Sequence, residues 1–456
     1  MAGVPIPVRR GALLTAGLLA VAALVVPVAV HVTDTGEEQA ARAPALAALA
    51  AAPAPAPSAV AAAPPVAVMP TADLPRVAAP VEPADAAAEA RTQAYKITEA
   101  TRSRAAEPST TAPQAARGTA SIALATPTAR LFVSPQGDDG NPGTQAAPVR
   151  SITRAAGMAR PGTQVVVAPG TYSGAVSTKA SGTAGARIAF VSSTRGAAKV
   201  VAGDAGEAWL NSGDYVDIVG FDISGSSTDG LTDQGSFVRL VDNKVHGFRA
   251  GNCITTANDD YDLHDIDVIG NLAFGCGGSS LDHGIYVSHA RGVVSNNIAF
   301  DNAGFGIHCW HACNALTISN NLVFDNPQGG IVVGQGDGPN NGTVAADDFV
   351  VSNNIAVGNG RDGIRESGAT GSNNRFLNNL LWDNANDDIA LNTGSQTGTL
   401  VENPLLGDLR PDGTGDYRPR AGSPALGTGV RDGAPRTDID GRHRPTVAVD
   451  LGPYQR

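Results

Sequence analysis

SNNIAFDN (Ser295 to Asn302) returns as SNNLVFDN (Ser319 to Asn326), SNNIAVGN (Ser352 to Asn359) and LNNLLWDN (Leu377 to Asn384). Each copy leads within a few residues to Gly306-Ile307, Gly330-Ile331, Gly363-Ile364 or Asp388-Ile389. The second Asn of each pair stands at 297, 321, 354 and 379, so the intervals are 24, 33 and 25 residues. A period in this range marks a solenoid or array in which each repeat is one structural unit.

Weaker copies lie upstream. Ile266 to Asn271 leads to Gly284-Ile285, and Phe237 to Asn243 leads to Asn252-Cys253-Ile254. Val216 to Phe221 and Ile188 to Val191 read as rungs without the Asn. Every unit holds two or three short alternating runs broken by Gly, Asn or Asp, the pattern of strands separated by turns. Such short strands at this spacing predict an all-β, single-stranded, right-handed parallel β-helix with one coil per repeat. Asn297, Asn321, Asn354 and Asn379 then have a structural task. Asn tolerates the left-handed bend between strands, and its amide can bond the Asn above and below. The apolar residues of the phrase (Ile298, Phe300, Leu322, Phe324, Ile355, Val357, Leu380, Trp382) are expected to line the core alternately.

Composition agrees with this reading. Among 456 residues there are 54 Gly, only 5% aromatic and 16% charged residues, which suits strands and tight turns. The net charge of −11 and the lack of a long Lys/Arg run argue against a nucleic-acid partner.

At the N-terminus, Arg9-Arg10 precede an uncharged apolar run from Gly11 to Val32, followed by Asp34, Glu37 and Glu38. That order reads as an export signal or a signal anchor over residues 1–33, with the bulk of the protein outside the cytoplasm. Residues 34–118 are dominated by Ala, Pro, Thr and Ser and read as an extended linker. The folded domain is expected over 119–456, as a monomer whose only membrane contact is the N-terminal segment.

The repeat supplies a register. Aligned on Gly-Ile, the rungs place Ile285, Ile307, Ile331, Ile364 and Ile389 in one inward column. The next, outward position holds Tyr286, His308, Val332, Arg365 and Ala390, stacked about 4.8 Å apart. Two places on stand Ser288, Trp310, Gly334, Ser367 and Asn392. Of the eight His, those at 264, 283, 289, 308 and 311 fall within 48 residues. Tyr286, His308, Arg365, His311 and His283 are therefore the catalytic candidates. Trp310 is a sugar-stacking candidate, and His289 and Gln335 are substrate-binding candidates. Glu366 should point inward by strict alternation, which is costly for a charge unless it is paired there. The insertion from Gly334 to Asp347 should wall the groove.

Upstream of this face, NDDYDLHDID gathers carboxylates, and Asp259, Asp260, Asp262 and Asp282 are candidate ligands for Ca²⁺, a hard cation that takes oxygen donors. The alternative is a solvated acidic turn. Four Cys suit an oxidising compartment. Pairings of Cys309 with Cys313 and Cys253 with Cys276 are favoured, although three pairings are open.

The segment from Leu131 to Gly174 (LFVSPQGDDGNPGTQAAPVRSITRAAGMARPGTQVVVAPGTYSG) resembles the opening of secreted β-helix proteins of pectate lyase and alginate lyase type. The tail from Asn403 to Tyr454 resembles their ending. Together these imply a pectate-lyase-like domain with a capping helix near Val149 to Ala159. In that superfamily Tyr and His can serve as acid and base in uronate β-elimination, while Arg neutralises the uronate. Asp259-Asp260-Tyr261-Asp262 resembles the calcium cluster of such lyases, but no Lys base follows, the last being Lys244. Asp282-His283-Gly284-Ile285 and Gly363-Ile364-Arg365 faintly resemble polygalacturonase motifs, without the paired Asp motifs expected upstream. The reading is a polysaccharide lyase acting on a uronate polymer. A non-catalytic glycan-binding β-helix at the cell surface is the alternative, and a polygalacturonase-like hydrolase is the weaker one.

Overall fold

A computed structural model describes residues 122–204, 206–336 and 345–456. The expected signal or anchor, the linker and the middle of the 334–347 insertion lie outside the described residues. Among those described, no helix is long and apolar enough to cross a membrane.

The chain winds as a right-handed parallel β-helix whose rungs each give one strand to each of three parallel sheets, of 11, 9 and 10 strands. In a middle rung, Ala290–Ser295 lies in the eleven-stranded sheet, Ile298–Phe300 in the ten-stranded and Phe305–Cys309 in the nine-stranded. The repeat-derived register holds: Ile285 pairs with Ile307, Ile307 with Ile331, Ile331 with Ile364, and Ile364 with Ile389. One short helix, Ile152–Met158, packs against the first strands through buried Ile152, Ala155 and Ala156, with the Ser151 side chain accepting from the Arg154 N–H at its N-terminus.

The two Asn of each phrase divide the work that sequence assigned to one. The left-handed bend falls on the first Asn, with φ of 56° at Asn296, 54° at Asn320, 57° at Asn353 and 46° at Asn378. The second Asn faces inward and is fully buried. Its Nδ2 donates to the Oδ1 of the next one at 3.2 Å (Asn243 to Asn271), 3.1 Å (to Asn297), 3.0 Å (to Asn321), 2.9 Å (to Asn354) and 3.0 Å (to Asn379). Each of these Nδ2 groups also donates to a main-chain carbonyl, such as Val294 O for Asn321. Each Oδ1 also accepts a backbone N–H, as Asn354 Oδ1 does from Asn321. A second ladder, not foreseen, runs through Asn302, Asn326, Asn359 and Asn384 at 3.1, 3.1 and 2.9 Å.

The core expectation needs correction. The phrase residues that enter the helix interior are Ala299, Val323, Ala356 and Leu381. Ile298, Phe300, Leu322, Phe324, Ile355 and Leu380 point the other way, into a second core, and Val357 packs at its edge. Trp382 lies at the surface. The second core exists because the C-terminal tail folds back over that sheet with Tyr417, Ala425, Ile439, Leu451 and Tyr454. Beneath it Phe274, Phe300 and Phe324 stack at 4.9 and 4.5 Å.

The first Asn of each pair holds this tail. Asn320 Nδ2 donates to Asp450 O at 3.0 Å and Gly452 O at 3.1 Å, Asn353 Nδ2 to Val430 O at 2.8 Å, and Asn378 Nδ2 to Thr428 O at 2.8 Å. Arg444, fully buried, answers from the tail by donating to Asn296 Oδ1 at 3.0 Å. The inner Asn thus aligns the rungs, and the outer Asn clamps the tail.

Asn321→Ala orphans the buried Asn297 N–H and Val294 carbonyl and should cost about 3 kcal/mol or more by urea unfolding. Asn320→Gly keeps the left-handed turn and loses the tail contacts and one long bond from Asn353 Nδ2 (3.4 Å), so it should cost clearly less and should increase proteolysis of the tail. Equal losses for the two variants would contradict the division of labour.

Candidate active-site cleft

The outward column of the nine-stranded sheet lies in register as read: Tyr286 pairs with His308, His308 with Val332 and Val332 with Arg365. Side chains on this column open into a cleft of about 540 Å³. Tyr286, His308, Arg365, His311, His283 and Trp310, six of the residues singled out from sequence, line it together. Val332 and Ser367, placed on this face by the register, also line it, whereas Asn252, Leu281, Phe305 and Arg361 complete the lining and were missed. Arg361 and Asn252 sit in turns outside the repeated phrase, where the Gly-Ile register carries no information.

His283 is buried beneath the cleft wall, and its ring lies 4.2 Å from that of His308, centroid to centroid. The Phe305 N–H donates to His283 Nδ1 at 3.1 Å, and His283 Nε2 meets His308 Nδ1 at 2.7 Å. Burial pushes the His283 imidazole down to about 4, against the pull of the adjacent Asp282. His308 is held well below its ordinary value by desolvation and by the neighbouring His283 and His311. Tyr286 lies 5.6 Å from both the His283 and His308 rings, and His311 stacks on Tyr261 at 4.4 Å.

Arg365 Nη1 donates to Asp362 Oδ2 at 3.0 Å, with Asp362 buried and Arg365 partly open to the cleft. Asp362 therefore fixes the guanidinium without standing in the cleft lining. Arg361 adds a second, exposed cation. Among the described residues no Asp or Glu lines the cleft, so a chain of net charge −11 presents two guanidinium groups there, one of them paired from behind by Asp362. Trp310 lies over Gly334 and Gly336 of the next rung, where a Cβ would collide with the indole. Its ring is 5.2 Å from His308.

Glu366 does point inward, as alternation demanded, and is paired there. Its carboxylate accepts Asn374 Nδ2 at 2.8 Å and the N–H groups of Asn392, Thr393 and Gly394 at 2.7, 2.8 and 2.9 Å.

Other candidates fall away from the cleft. His289 is fully buried, with Nδ1 on Thr256 Oγ1 at 2.9 Å, and burial lowers it to about 3. Gln335 is 2% exposed and lies outside the lining. The expected calcium ligands do not converge: among the described residues no three His, Cys, Asp or Glu are grouped to hold a metal ion. Asp262 Oδ1 takes Asn258 Nδ2 within an exposed turn that also carries Asp259 and Asp260. Asp282 Oδ2 accepts the N–H groups of Gly278 and Ser279 at 2.9 Å each and the Ser279 hydroxyl at 3.0 Å. These bonds outweigh its partial burial and hold the carboxyl below the usual range. The Asp262 and Asp282 carboxylates are thus engaged within their own turns, while Asp259 and Asp260 lie exposed beside Asp262.

Of the two favoured disulfides, Cys253–Cys276 forms. Cys309 and Cys313 are buried thiols. Cys309 faces inward between Val287 and Val333, and Cys313 Sγ donates to Val287 O at 3.3 Å.

The buried imidazoles make a pH prediction. His283, His289 and His308 stay neutral in the fold but titrate near 6.5 when unfolded, so their contribution is fully present above pH 6.5 and is lost as pH falls toward 4. Asp233, raised to about 8 by burial, acts oppositely in the same window, since its stability contribution falls as pH rises. The difference between variant and parent is therefore what must be read. His289→Gln should flatten the pH dependence of unfolding between 6.5 and 4 by one proton, about 1.4 kcal/mol per pH unit. Parallel profiles would contradict the neutral buried state.

Residues 131–397 match the family described as Pel9A-like, right handed beta helix region. No curated protein matches the chain. Among solved structures, pectate lyase Pel9A is similar over 73% of this chain and 97% of its own, at 17% identity and a TM-score of 0.56. The A-module of Azotobacter vinelandii mannuronan C-5 epimerase AlgE4 is similar over 62% and 84%, at 13% identity and 0.43. An alginate lyase from Paenibacillus sp. is similar over 60% and 95%, at 16% identity and 0.37.

Proposed function

Because the chain belongs to the Pel9A-like right-handed β-helix family, we propose that its cleft binds a uronate-containing polysaccharide and cleaves it by β-elimination, outside the cytoplasm. The observation that carries this reading is the charge of the cleft: two guanidinium groups and, among the described lining residues, no carboxylate, on an acidic molecule. A carboxylate of the polymer would sit against Arg365, which Asp362 holds in place, and against Arg361. Arginine is suited to this because its planar fork matches a carboxylate.

Neutralising that carboxylate acidifies the neighbouring C–H bond, since the charge that develops there is stabilised by fixed cations. A base takes the proton, the bond from the next carbon to the glycosidic oxygen breaks, and a C=C bond forms in the new chain end. Tyr286, His308 and His311 make the wall that handles protons and hydrogen bonds. Trp310 offers the apolar face on which a sugar ring stacks. Hydrolysis by two carboxyl groups on either side of the bond is disfavoured, because the described lining residues include none. The similarity to pectate lyase Pel9A makes pectate the first polymer to try.

Incubation with polygalacturonate, alginate and acidic glycosaminoglycans, with and without Ca²⁺, should give an unsaturated product that absorbs in the ultraviolet. Arg365→Ala should lower that rate by roughly 100-fold or more, with Arg365→Lys intermediate. Binding without product on any polymer would favour a glycan-binding role, and neither binding nor product would overturn the reading.

A further inference from the structure

We infer that Phe305, His283 and His308 form a tautomer relay that presents His308 Nε2–H as a neutral donor to a carboxylate oxygen of a sugar held beside Arg365. The donor role rests on the anionic-saccharide reading of the cleft, whereas the relay itself rests on the protein alone.

An amide N–H can only donate, and the Phe305 N–H points at His283 Nδ1 from 3.1 Å. That nitrogen must then offer its lone pair, so the proton of a neutral His283 sits on Nε2. Nε2 lies 2.7 Å from His308 Nδ1, and the bond between them has one proton to share. With His283 donating, His308 Nδ1 accepts, and a neutral His308 carries its own proton on Nε2. The reverse order would set two N–H groups against each other at Phe305 in a buried place, leaving both unsatisfied. Gly304 guards the geometry, because a Cβ there would strike His283 Nδ1. Burial keeps both rings uncharged.

His308 then has a role distinct from the general base that sequence suggested. Its Nε2 has no lone pair to take a substrate proton. A neutral imidazole N–H can instead share negative charge as it develops on an oxygen, at no cost of burying another cation. Arg365 stands two rungs further on in the same column, with Val332 between, and both side chains line the one cleft, so an acidic sugar there would find one charged and one neutral donor. Proton abstraction falls to another wall residue, Tyr286 or His311. His283 acts through His308 and is a positioning residue.

The test is the tautomer. Two-bond ¹H–¹⁵N imidazole spectra of the unliganded protein at neutral pH should show His283 and His308 both as Nε2–H forms. His283→Gln can supply an acceptor to Phe305 and a donor to His308, so it should keep the His308 pattern. His283→Phe can supply neither, so the pattern should be lost. Turnover should fall by on the order of 10-fold to 100-fold in the Phe variant and be largely restored in the Gln variant. Trigalacturonate should shift the His308 Nε2–H signal.

An Nδ1–H or doubly protonated His308 in the free protein would overturn the relay, whatever the substrate. An intact relay with trigalacturonate bound and the His308 signal unmoved would overturn the donor role alone. An intact relay with no acidic oligosaccharide bound would overturn the functional reading, and the donor role with it.

Discussion

Everything here depends on a buried amide repeated at a fixed height. Asn243, Asn271, Asn297, Asn321, Asn354 and Asn379 form one continuous line of hydrogen bonds through the molecule. Each amide also ties off a backbone carbonyl and a backbone N–H at a corner where the sheets cannot. A buried amide that lost these partners would carry the full cost of desolvation. A rung that slipped by one residue would break that line, so the ladder fixes register more strictly than apolar packing alone. The outer Asn of each pair then turns the chain and grips the returning tail, which closes a second core over the sheet.

Register is also what builds the cleft. Tyr286, His308 and Arg365 meet because successive rungs repeat the same outward position, although they span 80 residues of sequence (286 to 365). Inward positions on the same strands supply support. Glu366 satisfies three backbone N–H groups beneath Arg365, and Asp362 orients the guanidinium from a buried position. The carboxylates of this face are thus placed behind the surface, and the cations in front of it. That arrangement gives an acidic protein a cleft faced by cations.

The fold was legible because its signal is periodic. The Gly-Ile alignment predicted the observed pairing of five rungs, and the outward column followed from alternation alone. What sequence could not resolve was which way each element of the phrase faces. Ile298 and Phe300 read as core, and they are core, but of a second layer that exists only once the tail folds over them. The left-handed bend was assigned to Asn297 and belongs to Asn296, since adjacent Asn residues look alike in composition and differ only in φ. Asp282 and the Asp259 turn read as metal ligands because the residue types fit. Three dimensions show the Asp262 and Asp282 oxygens bonded to local N–H groups and an amide. His289 and Gln335 read as site residues and are buried, and Cys309 and Cys313 meet as buried thiols rather than as a disulfide.

The central claim is that the cleft selects negative charge on a saccharide. Isothermal titration with oligogalacturonate and with the same oligomer reduced to its neutral alcohol tests it most directly. The account predicts that the acidic oligomer binds, that its affinity falls as salt is raised, and that the reduced oligomer binds at least tenfold more weakly, a difference of about 1.4 kcal/mol. Equal affinity for the two, or affinity indifferent to salt, would contradict it.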